Sequence, residues 1–258
     1  MQYFKNVYHG RHILFSLIKR DLNAKYRGTI FGIAWSLITP FGLAIIMGTV
    51  FSLLWGQPLK SFIPYLFSGL MPWLFLSGVA QAGTNSFISA QGYIKQTQIP
   101  IEIFPIRTAF VELSNLLFSL AIFFILFFIL SPQSFNLYMI MTFLSILIFA
   151  VFGAAISTVS AFINTYVRDY AQVQSLLIQG MFYVTPIVWQ TSILDDRGYG
   201  LIYKLNPMYY MLEIIRKPLL GQKPERFEWI VAIGFTLIFA TIAILLMRRI
   251  GRKIIFRL

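Results

Sequence analysis

Cysteine is absent from this chain of 258 residues, and only nine Asp and Glu residues stand against 21 Lys and Arg. No disulfide can form, and His9 and His12 have no neighbouring carboxylates in sequence, so we expect no metal site. The chain also lacks any Gly-Lys pair, which excludes a G-x-x-x-x-G-K-[ST] phosphate loop, and it has no H-E-x-x-H motif. We therefore expect no bound cofactor, no ATP hydrolysis and no other enzymatic activity in this chain.

Charge is scarce along the chain as a whole. Charged residues make up 12% and hydrophobic residues 58%, whereas a globular domain carries about 25% charged residues. Uncharged runs cover residues 28–59, 61–94, 113–167, 170–194 and 229–247. Because about 20 apolar residues cross a bilayer, the run 113–167 must hold two spans. The sequence predicts an all-α integral membrane protein with six transmembrane helices, at residues 29–55, 62–83, 106–130, 137–164, 171–190 and 229–247, and with a turn at 131–136.

The net charge of +12 could indicate nucleic-acid binding, but basic residues beside apolar spans more often fix topology, so we expect no nucleic acid. Placing both termini in the cytoplasm puts 14 of the 21 Lys and Arg residues inside. The first apolar run starts only at residue 28 and is too long for a cleavable signal peptide. We expect a multi-pass plasma-membrane protein with both termini in the cytoplasm.

We expect a single transmembrane domain, residues 1–258. The segments outside its six spans each have a distinct sequence pattern. Residues 1–28 form an amphipathic helix, with Leu14, Ile18 and Leu22 opposite a basic stripe, as in a helix lying among lipid headgroups. A cytoplasmic loop covers 84–105, and a basic tail covers 248–258. The outer loop 191–227 predicts two short re-entrant or surface helices, 193–205 and 207–219. Asn206 and Pro207 divide them as an N-cap and a proline at the first helical position.

Small residues predict where the spans pack closely. In span one, Gly28 and Gly32 form a GxxxG pair, and further small residues follow at Ala34, Gly42, Ala44 and Gly48. Span four carries two rows of small residues at a spacing of four, namely Ala150, Ala154 and Thr158, and Gly153, Ser157 and Ala161. We expect these rows to contact other helices, since lipid provides no hydrophobic drive for helices to associate.

Two spans carry polar residues that need an explanation. Glu112 lies inside span three, where an ionisable group requires a partner or water. It either pairs with Arg107 or a neighbouring helix, or it handles a proton or a substrate. In span five, Gln172, Ser175, Gln179 and Phe182 share a stripe, with Tyr183 and Trp189 nearby. Such a stripe favours a path lining for a sugar-like substrate, although ordinary helix packing would also explain it, and Trp35 in span one could line the same path.

Several motifs follow one another along the chain. They are R-D-L-x-x-x-Y-R-G-x-x-x-G-x-x-W-S-L-x-x-P over 20–40, a proline-bearing loop over 99–107, V-R-D-Y-x-x-V over 167–173, Y-V-T-P-I-V-W over 183–189 and L-N-P-M over 205–208. In this order, along the whole chain, the sequence resembles the permease subunit of type 2 ABC exporters. The most similar group exports lipid-linked O-antigen, capsule or teichoic-acid polysaccharides.

The resemblance implies a homodimer with two copies of a separate ATPase subunit, which would bind ATP and Mg. It implies a coupling helix over 85–95 that docks on the ATPase, with the exposed positions expected at Asn85, Ser86, Ser89, Gln91, Tyr93 and Lys95. It makes the outer helices a periplasmic gate that includes Asn206, Pro207, Tyr209 and Tyr210. Spans one and five would line the polysaccharide path.

Cationic residues near the inner surface would meet the pyrophosphate of the carrier lipid, and we expect Lys25, Arg27 and Arg107 to do so. One departure from the family pattern is that Ile101 and Glu102 follow the loop proline, where a basic residue is usual.

Three alternatives remain open at the level of sequence. An exporter of a drug or a lipid could use the same fold. A membrane-embedded transferase could use Glu112 and Asp169 as catalytic groups, and an ion-coupled carrier would depend on Glu112 alone.

Overall fold

The computed structural model describes residues 2–130 and 135–258. All regular structure in these two ranges is helical, which confirms the predicted all-α class. The predicted turn at 131–136 falls mainly on residues 131–134, which lie outside the described residues. The helices are α1 Gln2–His9, α2 Arg11–Tyr26, α3 Trp35–Trp55, α4 Leu59–Thr84, α5 Gln91–Gln96, α6 Ile103–Leu130, α7 Met141–Tyr166, α8 Tyr170–Val184, α9 Ser192–Asp195, α10 Leu201–Lys204, α11 Pro207–Leu219 and α12 Arg226–Ile250.

Five helices of the described chain are long and apolar enough to cross a membrane. They are α3, α4, α6, α12, and α7 together with the short turn Leu137–Ile140 before it. The chain is therefore a multi-pass membrane protein. Each of these helices overlaps one of the predicted spans.

The predicted fifth span, 171–190, is shorter in the structure. It corresponds to α8, which has 15 residues and ends at Val184. At 1.5 Å per residue it is about 22 Å long, less than the bilayer core of about 30 Å. Thr185 has extended backbone angles (φ −88°, ψ 133°) because the ring of Pro186 disfavours a helical residue before it.

The helix of span one also begins later than the uncharged run of residues 28–59 from which the span was predicted. Gly28 and Gly32 have φ values of +81° and +50°, which residues with a side chain rarely adopt, so α3 starts only at Trp35. The Gly28 and Gly32 positions of the predicted packing face are therefore wrong, since a Cβ atom at either position would meet nothing within 4 Å. Ala44 and Gly48 of the same predicted face are buried. The packing face lies further along α3, where the buried residues recur at a spacing of four: Ser36, Pro40, Ala44, Gly48 and Ser52.

Helix α4 lies at the centre of the bundle. In its most apolar stretch 72% of the residues are buried, against 22% in α3 and in α12. It packs on α3, α6, α7, α8 and α11. The predicted small-residue rows of α7 face it in part: a Cβ on Gly153 would lie 2.7 Å from Phe75 Cζ, and one on Gly83 of α4 would lie 2.7 Å from Ser157 Cα. Small residues thus bring the two backbones close together, as lipid-embedded helices require.

The predicted amphipathic helix of residues 1–28 is divided into α1 and α2 at Gly10, where the Ile103 side chain leaves no room for a Cβ atom. Leu14, Leu17 and Ile18 of α2 are buried. They share an apolar cluster with α5, the start of α6, the end of α12 and the turn Gly251–Phe256. We call this assembly the basic end of the bundle, and the end that carries α9, α10 and α11 the distal end.

Candidate functional site

The loop between α4 and α6 presents a small polar surface at the basic end. The predicted coupling helix over 85–95 is shorter in the structure: residues 85–90 form successive turns, and only α5 is helical. Asn85, Ser89 and Lys95 are exposed, whereas Ser86 is buried beside Phe87. The exposed three are the predicted coupling residues that a partner protein could reach most directly.

Two of the predicted coupling residues instead hold the loop to the rest of the basic end. Tyr93 accepts a hydrogen bond from Arg20 of α2, whose guanidinium carbon lies 5.3 Å from the centre of the Tyr93 ring. Gln91 donates its side-chain amide to the backbone oxygen of Leu258. Helix α5 is therefore tied to both α2 and the C-terminal tail.

A cavity of about 580 Å³ adjoins the loop between α4 and α6. It lies between residues 97–102, Asn6 of α1 and the end of α12, and Gln98, Glu102 and Arg248 are among its lining residues. Asn6 donates a hydrogen bond of 3.0 Å to Glu102 Oε1. The acidic residue that departs from the family pattern thus joins α1 to the loop.

Arg107 does not lie at the surface. It is 9% exposed, and its Nε atom is 2.9 Å from Asp21 Oδ2 of α2. This ion pair fixes α2 on the start of α6 and engages the guanidinium inside the protein. Lys25 and Arg27 remain the exposed members of the predicted phosphate-binding group.

Glu112 lies beside a second cavity, of about 290 Å³, where α2, α3, α4 and α6 meet. Glu112 Oε1 is 3.8 Å from Lys25 Nζ, and Oε2 accepts a 3.0 Å hydrogen bond from Asn115. Of the two explanations given for Glu112, pairing with a neighbouring helix agrees with these contacts, but the partner is Lys25 of α2, not Arg107. Trp35, predicted to line a path, also lines this cavity.

The polar stripe of α8 points away from the bundle in part. Gln172, Gln179 and Tyr183 are exposed, and Tyr183 is 76% exposed. Gln179 donates to Ser175 Oγ at 3.5 Å, one turn back along the same helix. Amide side chains are costly to place in contact with lipid.

The other predicted lining residues are partly enclosed. Phe182 packs edge-on against Trp73 of α4, with ring centres 5.9 Å apart. Trp189 donates its indole N–H to the backbone oxygen of Tyr183 at 3.1 Å. Gln174, which sequence reasoning did not select, is buried and donates to Ser160 Oγ of α7 at 2.9 Å. Helix α8 therefore has one exposed face and one side that packs against α4 and α7.

At the distal end, the predicted second outer helix agrees with α11, and the first is reduced to the single turns α9 and α10. Asn206 caps α11 by accepting the Met208 N–H at 2.9 Å, as predicted, and it also donates to Thr185 Oγ1 at 2.8 Å. Pro207 occupies the first turn of α11. The predicted gate tyrosines are packed together: Tyr209 lies edge-on to Tyr210, with ring centres 5.0 Å apart, and Tyr210 donates to the Lys204 backbone oxygen.

Hydrogen bonding stabilises the short outer turns. Tyr203 donates a 2.7 Å hydrogen bond to Asp195, and Lys204 lies 3.3 Å from the same carboxylate. The hydrogen bond from Tyr203 lowers the pKa of Asp195. Burial, followed by the hydrogen bond to Asp195, raises the pKa of Tyr203 to about 12.

The sequence did not lead us to predict a network of buried charged side chains that joins α11 to α4 and α12. Arg216 and Glu213 form an ion pair of 2.9 Å, and the Arg216 guanidinium lies 4.7 Å from the ring of Tyr65 on α4. Lys217 pairs with Glu228 at the start of α12, where Glu225 and Glu228 form a capping box. The sequence contains two signals of this network. One is the E-x-x-R spacing in an otherwise apolar helix, and the other is the E-x-x-E motif before span six.

Comparison with known proteins places these features in a family. The profile of the family described as ABC-2 type transporter matches residues 12–220. A protein of Myxococcus xanthus named O-antigen export system permease protein RfbA is 25% identical over 81% of this chain and 80% of its own length. Two proteins of Klebsiella pneumoniae with the same name are 26% and 25% identical, over 78% and 89% of this chain and 77% and 88% of their own lengths.

Proposed function

Because this chain belongs to the ABC-2 type transporter family, we propose that it is the membrane-spanning subunit of an ATP-driven exporter of polysaccharide. The substrate would be a polymer such as O-antigen or capsule, carried on an undecaprenyl-pyrophosphate type lipid from the inner to the outer side of the membrane. The names of the relatives support the polysaccharide class. ATP and Mg would bind to a separate ATPase subunit.

The observation that carries this proposal is the exposed polar face of α8. Gln172, Gln179 and Tyr183 lie on one side of a helix in a membrane protein, at positions that lipid would disfavour. Two copies of the chain, arranged with these faces toward each other, would enclose a hydrated path. Tyrosine and glutamine suit a sugar polymer, since a ring can stack on an apolar sugar face while amides exchange hydrogen bonds with hydroxyls.

In this arrangement α8 with residues 185–190 would complete a sixth crossing. Both termini would then lie in the cytoplasm with the basic end, and the distal end would face the periplasm. Such an orientation agrees with the excess of Lys and Arg at the basic end. The ATPase would dock on Asn85, Ser89 and Lys95, and its movement would pass through α5 to α2 and the tail.

Lys25 and Arg27 would contact the phosphate groups of the carrier lipid as it enters from the inner leaflet. Both are exposed near the start of α3. A lysine suits this role because its compact charge can follow a mobile phosphate. The distal segment α9–α11 would cover the exit.

The proposal is tested by reconstituting this chain with its partner ATPase in proteoliposomes. ATP hydrolysis is measured with and without purified lipid-linked polysaccharide, and polymer transfer across the membrane is measured in parallel. A stable complex whose hydrolysis rate changes with the polymer, and which transfers it, supports the proposal. Failure of the two proteins to associate, or hydrolysis that is indifferent to the polymer, would contradict it.

A further inference from the structure

A cavity of about 170 Å³ lies behind α8, between that helix, α4 and α7. Its described lining is largely apolar and includes Trp73, Leu76, Phe152, Ile178 and Met181. Trp73 lies near the middle of α4, and Phe152 lies near the middle of α7. Because both helices are long enough to cross the membrane, the cavity lies at the depth of the hydrocarbon core.

One polar atom at this cavity lacks a partner. Gln174 lines the cavity and is 6% exposed, and its Nε2 atom donates to Ser160 Oγ of α7 at 2.9 Å. No described residue donates to the Oε1 atom of the same amide, which is buried. A buried carbonyl oxygen without a donor is costly, and lipid cannot supply a donor. A hydrogen-bond donor on a bound molecule would remove that cost.

The size and the side chains of the cavity limit what this molecule can be. An apolar cavity of about 150 Å³ can bind one benzene molecule, so the cavity behind α8 has room for a single ring with a small substituent. The rings of Trp73 and Phe152 can pack edge-on against another ring, and the sulfur atoms of Met181 and Met208 also favour aromatic contacts. An aromatic ring that carries one hydroxyl group for Gln174 satisfies both the apolar wall and the unpaired oxygen.

Other classes of ligand match the lining less well. A sugar ring carries several hydroxyl groups, whereas the described lining has polar side chains only at Gln174 and Ser77, and Ser77 already donates to the Leu74 backbone oxygen at 3.2 Å. A lipid acyl chain has no donor for Gln174. An anion would meet no Lys, Arg or His among the described lining residues. A water molecule could donate to Gln174, but it would not use the apolar wall.

We propose that this cavity is a binding site for a small aromatic alcohol. The ring lies among the apolar side chains of α4, α7 and α8, and the hydroxyl group donates to Gln174 Oε1. The site lies within one copy of the chain, so it differs from the path between two copies and does not depend on the proposed function. A bound molecule would add contacts between α8 and the two helices behind it, and would thereby hold α8 against α4.

Binding of para-fluorophenol to the purified full-length chain in phosphatidylcholine nanodiscs tests the proposal. Fluorine NMR measures saturable binding, and protein-free nanodiscs give the correction for partition of each compound into lipid. We expect para-fluorophenol to bind about two- to tenfold more tightly than para-fluorotoluene, which has the same ring without the donor. That range corresponds to one hydrogen bond between uncharged groups.

Two variants, each with a matched control, locate the site. Gln174→Met removes the acceptor and keeps the length of the side chain, so it should bind para-fluorophenol no more tightly than para-fluorotoluene. Gln81→Met, at an exposed glutamine of α4, should bind as the unmodified chain does. Ala80→Leu fills part of the cavity and should abolish saturable binding of both compounds, whereas Ala82→Leu, at an exposed position of α4, should retain it.

Three results would overturn the inference. One is the absence of saturable binding to the unmodified chain, and another is equal affinity for the two compounds. The third is that Gln174→Met binds para-fluorophenol as Gln81→Met does, as expected if a water molecule satisfies the oxygen, or that Ala80→Leu binds as Ala82→Leu does. Should Gln174→Met or Ala80→Leu fail to elute as a folded protein, the other variant decides with its own control.

Discussion

Arg216 shows at the scale of a residue how the distal end is held together. Its side chain is 2% exposed and lies between Glu213 of the same helix and Tyr65 of α4. Gly69 of α4 leaves the space that the guanidinium occupies, since a Cβ atom there would clash with it. A buried pair of this kind adds little net stability over an apolar pair, but losing one partner leaves an uncompensated charge. The pair therefore fixes the position of α11 on α4.

Replacing Arg216 with Ala should destabilise the protein by about 3–5 kcal/mol, because Glu213 would remain buried without its partner. Thermal unfolding in detergent, followed by tryptophan fluorescence, measures the effect as a fall in Tm. Lys223→Ala, at an exposed position of the same outer segment, is the control and should leave Tm unchanged. Equal Tm values for the two variants would show that the network does not hold α11.

Gly83 tests the close contact of α4 with α7. A Cβ atom at this position would lie 2.7 Å from the Ser157 backbone, so Gly83→Ala forces the helices apart and should cost about 1–3 kcal/mol. Gly42→Ala on α3 is the matched control, because nothing lies within 4 Å of its Cβ position. The control should be neutral or slightly stabilising, since Ala favours a helix more than Gly does. A Tm for Gly83→Ala at or above that of the control would contradict the packing.

At the scale of elements, α2 is a connector between the polar loop and the bundle. It contacts α5 through Arg20 and α6 through Asp21 and Lys25, while its apolar stripe is buried. Of the predicted stripe, Leu14 and Ile18 are buried and Leu22 is half-buried. They pack against other helices of the bundle, whereas the pattern predicted contact with lipid headgroups. The partners of α2 could not be predicted, because Arg20 and Tyr93 are 73 positions apart and a single sequence contains no signal of such a contact.

Tyr93→Phe should weaken the coupling of ATP hydrolysis to transport while leaving the complex intact. The variant removes the hydroxyl that Arg20 contacts and keeps the ring, so stimulation of hydrolysis by the polymer should fall by about 1.4- to fivefold, the scale of 0.2–1 kcal/mol for an exposed charged contact. Tyr199→Phe, at an exposed tyrosine of the outer segment, is the control. Equal stimulation in both variants would contradict the role of α2 as a connector.

The ends of the helices show which local sequence signals were sufficient to predict where a helix begins or ends. The N-cap and proline at Asn206 and Pro207 predicted the start of α11 correctly. Pro186 likewise carried the signal that ends α8 at Val184, but the apolar run continued past it and outweighed that signal in the prediction. At the start of α3 the uncharged run again misled, because Gly28 and Gly32 adopt conformations that no hydropathy pattern shows.

At the scale of the whole molecule, the chain is a bundle built around α4 with two chemically different ends. Composition alone was enough to predict a helical membrane protein, since few charges and long uncharged runs leave no other fold. The faces of the helices were harder to predict, because lipid-facing and protein-facing residues are both apolar. The exposed face of α8 is the exception: Gln172 and Gln179 are conspicuous against that apolar background.

The most direct test is the water accessibility of that face in the assembled exporter. The chain contains no cysteine, so Gln172→Cys, Gln179→Cys and Ile238→Cys each carry one thiol without further change. Ile238 is exposed on α12 and should face lipid. A membrane-impermeant, water-soluble thiol reagent should label the two α8 positions and spare Ile238→Cys, and labelling should block polymer transfer. Equal protection of all three positions would contradict a hydrated path along α8.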